Sequence, residues 1–573
     1  MADLLKYLPT TRKETELRGW EEVDIVFFTG DAYIDHPSFG AAVLGRVLEA
    51  AGFRVAIVPQ PDWHGDYRDF TKFGRPRLYF AVSAGSMDSM VNHYTAAKRK
   101  RSDDAYTPEG RAGARPDYCT ITYCNILKKL YPDVPIVIGG IEASMRRLTH
   151  YDYWQNKLMP SILVDSRADL LVYGMGEQAM TEIAQKLSTL NSQFSILNSQ
   201  FSIPHDVPQT AFLSSDPAEI PANAIRLASH EQAVKDKRVH AENFRLIEIE
   251  SNKIFQQTLV QPVGKQFVVV NPSYPPVTTK QLDAIFDLPY QYTPHPKYKD
   301  KRIPAYDMIK WSVCMHRGCF GGCSFCTISA HQGKQIVSRS KESILRQIER
   351  LSRLPDWHGI ISDLGGPSAN MYRMHGKDRS LCEQCARASC LQPSICKNLN
   401  RDFGPIIDIY RTVDKLPYVK HAFVGSGIRY DLMSEEYARQ LITRHVSGRL
   451  KVAPEHCSDS VLQLMRKPQW NNYLQFRDLF LRINKEAGMN QQLIPYFISS
   501  HPGCTNQDMR QLADETKRMH YRPEQVQDFT PTPMTLSTTM FYTGINPYTG
   551  KPVYVARTPE EKKQQNRYFF WYK

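Results

Sequence analysis

An α/β chain built from two parallel-sheet domains is the architecture this sequence predicts, and three observations predict it. Short, continuous apolar runs alternate with helix-like stretches in the first third of the chain, the same alternation resumes after Tyr306, and a charged, proline-rich stretch separates the two. Strands that are apolar throughout belong to parallel sheets covered on both faces by helices. At 573 residues the chain is also too long for a single hydrophobic core.

In the first third the expected strands are Asp24-Ile-Val-Phe-Phe28, Phe53-Arg-Val-Ala-Ile-Val58, Leu78-Tyr-Phe-Ala-Val82, Val134-Pro-Ile-Val-Ile138 and Leu170-Leu-Val-Tyr173, with a helix over 40–51. They define a doubly wound, Rossmann-like domain over residues 1–186. Residues 187–300 read as a connector with a helical patch over 233–255 and a strand over 266–271. Inside it, Leu190-Asn-Ser-Gln-Phe-Ser-Ile196 recurs at once as residues 197–203, a tandem duplication expected on a surface loop. Over 301–573, strands are expected near 311–313, 359–361, 421–424, 450–453, 492–498 and 526–529. Helices are expected over 341–352, 434–445, 459–465 and 473–487. Repeated strand–helix units predict a barrel or partial barrel, with functional groups at the C-terminal ends of its strands.

The formal charge of +13 and a pI near 9.0 favour an anionic partner such as RNA through counterion release, although the basic residues are spread along the chain. No apolar run reaches the roughly 18 residues that a membrane span needs, and the start of the chain lacks the pattern of a secretory signal. The expected location is the cytoplasm. Of twelve cysteines, eight fall in two bundles, Cys314–Cys326 and Cys382–Cys396. In a reducing compartment such bundles point to metal ligation rather than disulfides.

The first bundle, Cys314-Met-His-Arg-Gly-Cys319-Phe-Gly-Gly-Cys323-Ser-Phe-Cys326, follows directly on a strand. Three thiolates four and three residues apart in a glycine-rich loop can converge on one cubane and leave one iron open to a chelating ligand. A zinc loop completed by Cys314 or His316 is the alternative. One strand–helix unit later, Ser362-Asp-Leu-Gly365-Gly366-Pro367 places backbone without side chains at a strand end, where a small ligand can approach closely. Three further strand ends carry polar groups: Ser426 to Asp431, Pro454 to Cys457 and Ser499 to Cys504. Arg339, after the first loop, is placed to pair with a carboxylate. The second bundle, Cys382, Cys385, Cys390 and Cys396, supplies enough thiolates for a closed zinc site or a second iron-sulfur cluster.

The spacing of Cys319, Cys323 and Cys326 resembles the defining pattern of the radical S-adenosylmethionine (SAM) superfamily. That resemblance implies a radical SAM partial TIM barrel with a 4Fe-4S cluster on these three cysteines. It also implies SAM on the open iron, reductive cleavage to methionine and a 5′-deoxyadenosyl radical, and an electron donor such as flavodoxin or ferredoxin. It carries Phe325 over to the adenine and Gly365 and Gly366 to the SAM amino group, with Ser426 and Glu455 as further cofactor contacts. Longer phrases, among them Gly30-Asp-Ala-Tyr-Ile-Asp35-His36-Pro, Asp363-Leu-Gly-Gly-Pro-Ser-Ala-Asn370 and Lys451-Val-Ala-Pro-Glu-His456, resemble the YgiQ-type radical SAM proteins.

The first domain is similar to the cobalamin-binding fold that precedes many such barrels. Here Asp35 and His36 are adjacent and Gly40 comes four residues after His36, which departs from the cobalamin pattern, so bound cobalamin is not expected. An RNA-modifying methylthiotransferase or methyltransferase is the sharper variant of this reading. A non-catalytic, zinc-stabilised nucleic-acid-binding protein is the reading from another class.

Overall fold

The computed structural model describes residues 4–193, 203–383 and 385–572, which form two compact units. The first runs to Asp236 and adds Phe255–Pro275 and Ala284–Lys310; the second comprises Lys237–Ile254, Pro276–Asp283 and everything from Trp311.

The first unit is organised by a nine-stranded sheet. Its strands are β1 (Ile25–Thr29), β2 (Val55–Pro59), β3 (Tyr79–Ser83), β4 (Ile136–Gly139), β5 (Leu170–Val172), β6 (Thr210–Ser214), β7 (Ile225–Arg226), β8 (Leu259–Val263) and β9 (Gln266–Val270), in the order β7-β8-β9-β6-β5-β4-β3-β1-β2. The five strands from β2 to β5 pair in parallel, and β1 is buried along its whole length. That burial explains the unbroken apolar run of its sequence. The expected strands and the helix, found at Gly40–Ala50, lie within two residues of their expected bounds.

The stretch expected as a connector does more than connect. It adds β6, β8 and β9 as an antiparallel extension of the same sheet, with β7 parallel to β8. Its helix, Lys237–Ser251, belongs to the second unit, where Phe244 packs with Leu536 and Met540. Composition hid this because charge and proline in the intervening loops mask strands of only two to five residues. Residues 194–202, most of the duplicated heptapeptide, lie outside the described residues.

Strand order reverses between β1 and β3, the switch point where doubly wound sheets bind ligands. Near that point the chain places charged groups of its own. Asp31, just after β1, accepts from Arg115 Nη2 at 2.7 Å and from the Ser86 backbone at 2.7 Å. Arg115 also donates to Ala84 O at 2.7 Å and lies 3.4 Å from Asp104. A Cβ on Gly85 would meet the Asp31 carboxylate at 2.1 Å. His36 is fully buried with its ring edge against Tyr292, and burial holds its pKa down at about 3.

The strands of the second unit are β10 (Ser312–Cys314), β11 (Ile360–Ile361), β12 (Asp363–Gly365), β13 (His421–Ala422), β14 (Arg449–Glu455), β15 (Gln492–Ser499) and β16 (Gln525–Asp528). The pairs β10–β12 and β11–β13 are parallel, as are the successive pairs in the ladder β14-β15-β16. Helices Lys341–Ser352, Glu435–Arg444, Asp459–Met465 and Trp470–Glu486 occupy the expected intervals.

Breaking a buried ion pair leaves an uncompensated charge and costs about 3–5 kcal/mol. Arg115→Met should therefore lower the urea midpoint of the first unit's unfolding, followed by far-UV circular dichroism. An unchanged midpoint would show that Asp31 and Asp104 do not depend on this cation.

Candidate functional site

The loop after β10 bends where glycine permits it. Gly318 and Gly322 have φ of +85° and +59°, and a Cβ on either would come within 2.0 Å of Gln335 O or 2.1 Å of Ala388 O. L-residues with side chains are strained in this backbone region, and here they would also collide with backbone. The return of the loop is held by hydrogen bonds from Cys319 N to Gly333 O at 3.1 Å and from Ser329 Oγ to Cys319 O at 2.8 Å. Ser324 N bonds Met465 O at 3.0 Å. A second chain of contacts runs from Ser324 Oγ to Ser537 Oγ at 2.8 Å and on to His501 Nε2 at 2.6 Å.

This geometry brings Cys319, Cys323 and Cys326 together as three partly buried free thiols. Burial raises the Cys319 pKa, and the neighbouring Cys323 adds to it; the same two causes push Cys326 up to about 12. Two buried cations oppose them. Arg429 Nη1 stands 3.7 Å from Cys323 Sγ, and the charge of Lys467 stabilises thiolate at Cys319 and Cys326. Arg429 is held by a two-pronged pair with Asp431 at 2.7 and 2.8 Å, and Lys467 by Glu455 at 3.5 Å.

Thiolates that repel one another in a water-poor site are stabilised by coordination to metal, and a three-thiolate loop suits a cluster with one open iron.

The other expected contacts fall as follows. Phe325 meets the His501 ring edge-on with centroids 6.1 Å apart. Gly365 ends β12, and Gly366 packs against His316; a Cβ would meet Ser426 Oγ at 2.8 Å from the first and the His316 ring at 2.5 Å from the second. Ser426 donates its hydroxyl to Asp363, whose other oxygen accepts from Gly425 N and Ser426 N at 2.9 and 3.0 Å. Glu455 is buried at a φ of +69° beside Lys467. Arg339 donates to Cys314 O at 3.0 Å and to Ser343 O at 2.8 Å, which ties β10 to the following helix. The Cys314 thiol donates to His316 O at 3.2 Å, and the His316 ring is buried against Gly366. Arg429 and Lys467 were not singled out from the sequence, because their approach to the thiols is a matter of fold and not of spacing.

A three-cysteine glycine loop at the end of a parallel strand, followed by a glycine pair at the next strand end, defines the class: this is a radical SAM enzyme. The chain matches the radical SAM superfamily over residues 313–516, the radical SAM N-terminal family over 7–312 and a domain of unknown function over 524–573. It belongs to the UPF0313 protein family. A UPF0313 protein of Bacteroides thetaiotaomicron is 58% identical over all of this chain and 94% of its own length. Those of Porphyromonas gingivalis and Methanocella arvoryzae are 57% and 48% identical over 100% and 96% of this chain, covering 91% of each relative. Among solved structures it is similar to the radical SAM methyltransferase TsrM of Kitasatospora setae with cobalamin and a [4Fe-4S] cluster bound. That likeness has a TM-score of 0.49 at 14% identity, over 89% of this chain and 77% of the other. The reading as a non-catalytic zinc protein gives way to these family matches.

Two measurements test the site. Gly322→Ala should lower iron incorporation on anaerobic reconstitution, whereas Gly427→Ala, with nothing within 4 Å of its Cβ, should keep it; equal iron in both would mean that the loop does not depend on this bend. Burial also lowers His456 to about 4 and His501 to about 3. The unfolded chain takes up these protons near pH 6.5 and the folded one refuses them. Stability is therefore full above pH 6.5 and falls between there and pH 4, by about 1.4 kcal/mol per pH unit per histidine. The urea midpoint should fall over that window and His501→Asn should flatten the fall; a pH-independent midpoint would contradict the burial of both rings.

Proposed function

We propose that this chain holds a 4Fe-4S cluster on Cys319, Cys323 and Cys326 and uses it to cleave SAM reductively and act on a further substrate. The observation that carries this reading is the set of three partly buried thiols on a glycine loop, whose thiolate forms repel one another, with Arg429 and Lys467 beside them. When bound, the cluster supplies an electron and an open iron for SAM, whose cleavage gives methionine and a 5′-deoxyadenosyl radical.

The chain's own residues bind, orient and balance charge. Arg429 and Lys467 offset the thiolates, and Asp431 and Glu455 hold those cations in place. Phe325, steadied by His501, is positioned for a flat apolar contact with adenine. Gly365 and Gly366 end a strand beside the loop, where backbone can bond the SAM amino group. Ser426 acts by fixing Asp363, since both its hydroxyl and its amide donate there. Glu455 presents a carboxylate near the same cations.

The parallel ladders of the second unit are read as arcs of one partial barrel, with these groups at its C-terminal edge. The electron donor is a flavodoxin or ferredoxin, and the setting is cytoplasmic. No helix among the described residues is long and apolar enough to cross a membrane. Cobalamin is not proposed as a resident group, because Asp31 and Arg115 are bonded to each other near the switch point and His36 is buried. A methyl-transferring outcome on RNA is favoured by the charge of +13 alone.

The test is anaerobic. With SAM and dithionite, the reconstituted chain should yield 5′-deoxyadenosine, and the Cys319→Ala/Cys323→Ala/Cys326→Ala variant should yield none. S-adenosylhomocysteine quantified in the same runs, with and without added RNA, separates the methyl-transferring reading. No 5′-deoxyadenosine from a chain shown to carry its cluster would overturn the proposal.

A further inference from the structure

Cys382, Cys385, Cys390 and Cys396 are partly buried, and none is in a disulfide. Backbone turns join them in pairs: Cys385 N donates to Cys382 O at 3.2 Å and Cys396 N to Cys390 O at 2.8 Å. Nitrogen donors face the sulfurs. Lys334 Nζ lies 3.8 Å from Cys385 Sγ and also donates to Arg387 O at 2.7 Å, and Asn398 Nδ2 lies 3.5 Å from Cys382 Sγ. The charge on each of the other three thiols acts on Cys390, so the four share one electrostatic neighbourhood. Four thiolates with nitrogen donors on their sulfurs can hold one tetrahedral zinc or be distributed over the irons of a cluster, and the bonds that tie this insert to the first cysteine loop favour the redox group.

This insert is fastened to the first cysteine loop. Cys390 N donates to Phe320 O at 3.0 Å, Ser389 Oγ to Gly321 O at 2.7 Å, and Gly322 packs on Ala388 O. Cys319 and Cys390 are thus linked through one peptide and one hydrogen bond. Around the insert Lys377, Arg379, Arg387 and Lys397 are exposed, against Asp378 and Glu383, and Leu381 is 62% exposed. Such a basic rim with an apolar centre complements an acidic protein surface.

We propose that Cys382, Cys385, Cys390 and Cys396 ligate a second iron-sulfur cluster, which passes electrons from an acidic one-electron carrier to the first. Four thiolates leave no iron open for SAM, so its chemistry is electron transfer. It accepts one electron from the reduced carrier, releases one toward Cys319 along the Cys390–Phe320 hydrogen bond, and returns to its oxidised state. The proposal rests on the reading above only for the electron's destination.

The experiment measures iron, sulfide and zinc in the anaerobically reconstituted full chain and in the Cys319→Ala/Cys323→Ala/Cys326→Ala variant, with Mössbauer spectra of the wild type. Iron and sulfide above the four of one cubane, with the excess retained in the variant, is the expected result. Zinc in place of that excess, or iron equal to one cubane and no other metal, overturns it. The Mössbauer count needs no variant and decides the matter should the variant fail to fold. In Cys382→Ser/Cys396→Ser, reduction of the remaining cluster by reduced flavodoxin, followed by bleaching of its visible absorption, should slow by an order of magnitude or more; an unchanged rate overturns the relay. Two clusters without 5′-deoxyadenosine formation would sink the SAM-cleavage reading and leave the second cluster standing.

Discussion

Three thiols held close together away from water are the constraint on which the second unit depends. Burial alone makes thiolate costly, and each neighbour makes it costlier. The structure answers in two ways. Arg429 and Lys467 bring positive charge, each tied down by a carboxylate, and the glycine loop lets the backbone bend tightly enough to carry the three thiols. None of these partners is close to the cysteines in the chain.

The backbone around the loop has little freedom, and this is what makes the site specific. Gly322 lets the insert at Ala388–Cys390 lie directly on the loop, and Gly318 does the same for the strand return at Gln335. Ser324, Ser537 and His501 tie the far side to the end of β15. The loop is therefore braced on several sides by elements distant in sequence, which is how a site keeps its geometry when a ligand comes and goes.

The first unit shows the same economy put to a different end. A doubly wound sheet offers a crevice at its switch point, and here Asp31 lies just after β1, bonded to Arg115, which also stands 3.4 Å from Asp104. The fold alone does not say what such a unit binds.

Much of the architecture was legible in the chain. Apolar runs located β1 to β5 and the strands of the second unit to within a few residues, because burial on both faces writes itself into every position of a parallel strand. Cysteine spacing located the three-thiol loop and the four-thiol insert, because residues a few positions apart in a short loop stay neighbours however the rest of the chain packs. Strands β6 to β8 were missed, since short strands between charged loops carry little periodicity, whereas β9 was legible as the apolar run over 266–271. The sequence by itself thus determined which thiols lie together in short loops. Only the tertiary structure decided what surrounds them: that Arg429 and Lys467 face the thiols, that Ser426 is spent on Asp363, and that the insert lies on the first loop. Those are contacts across tens to hundreds of residues, set by how strands and helices pack and not by local spacing.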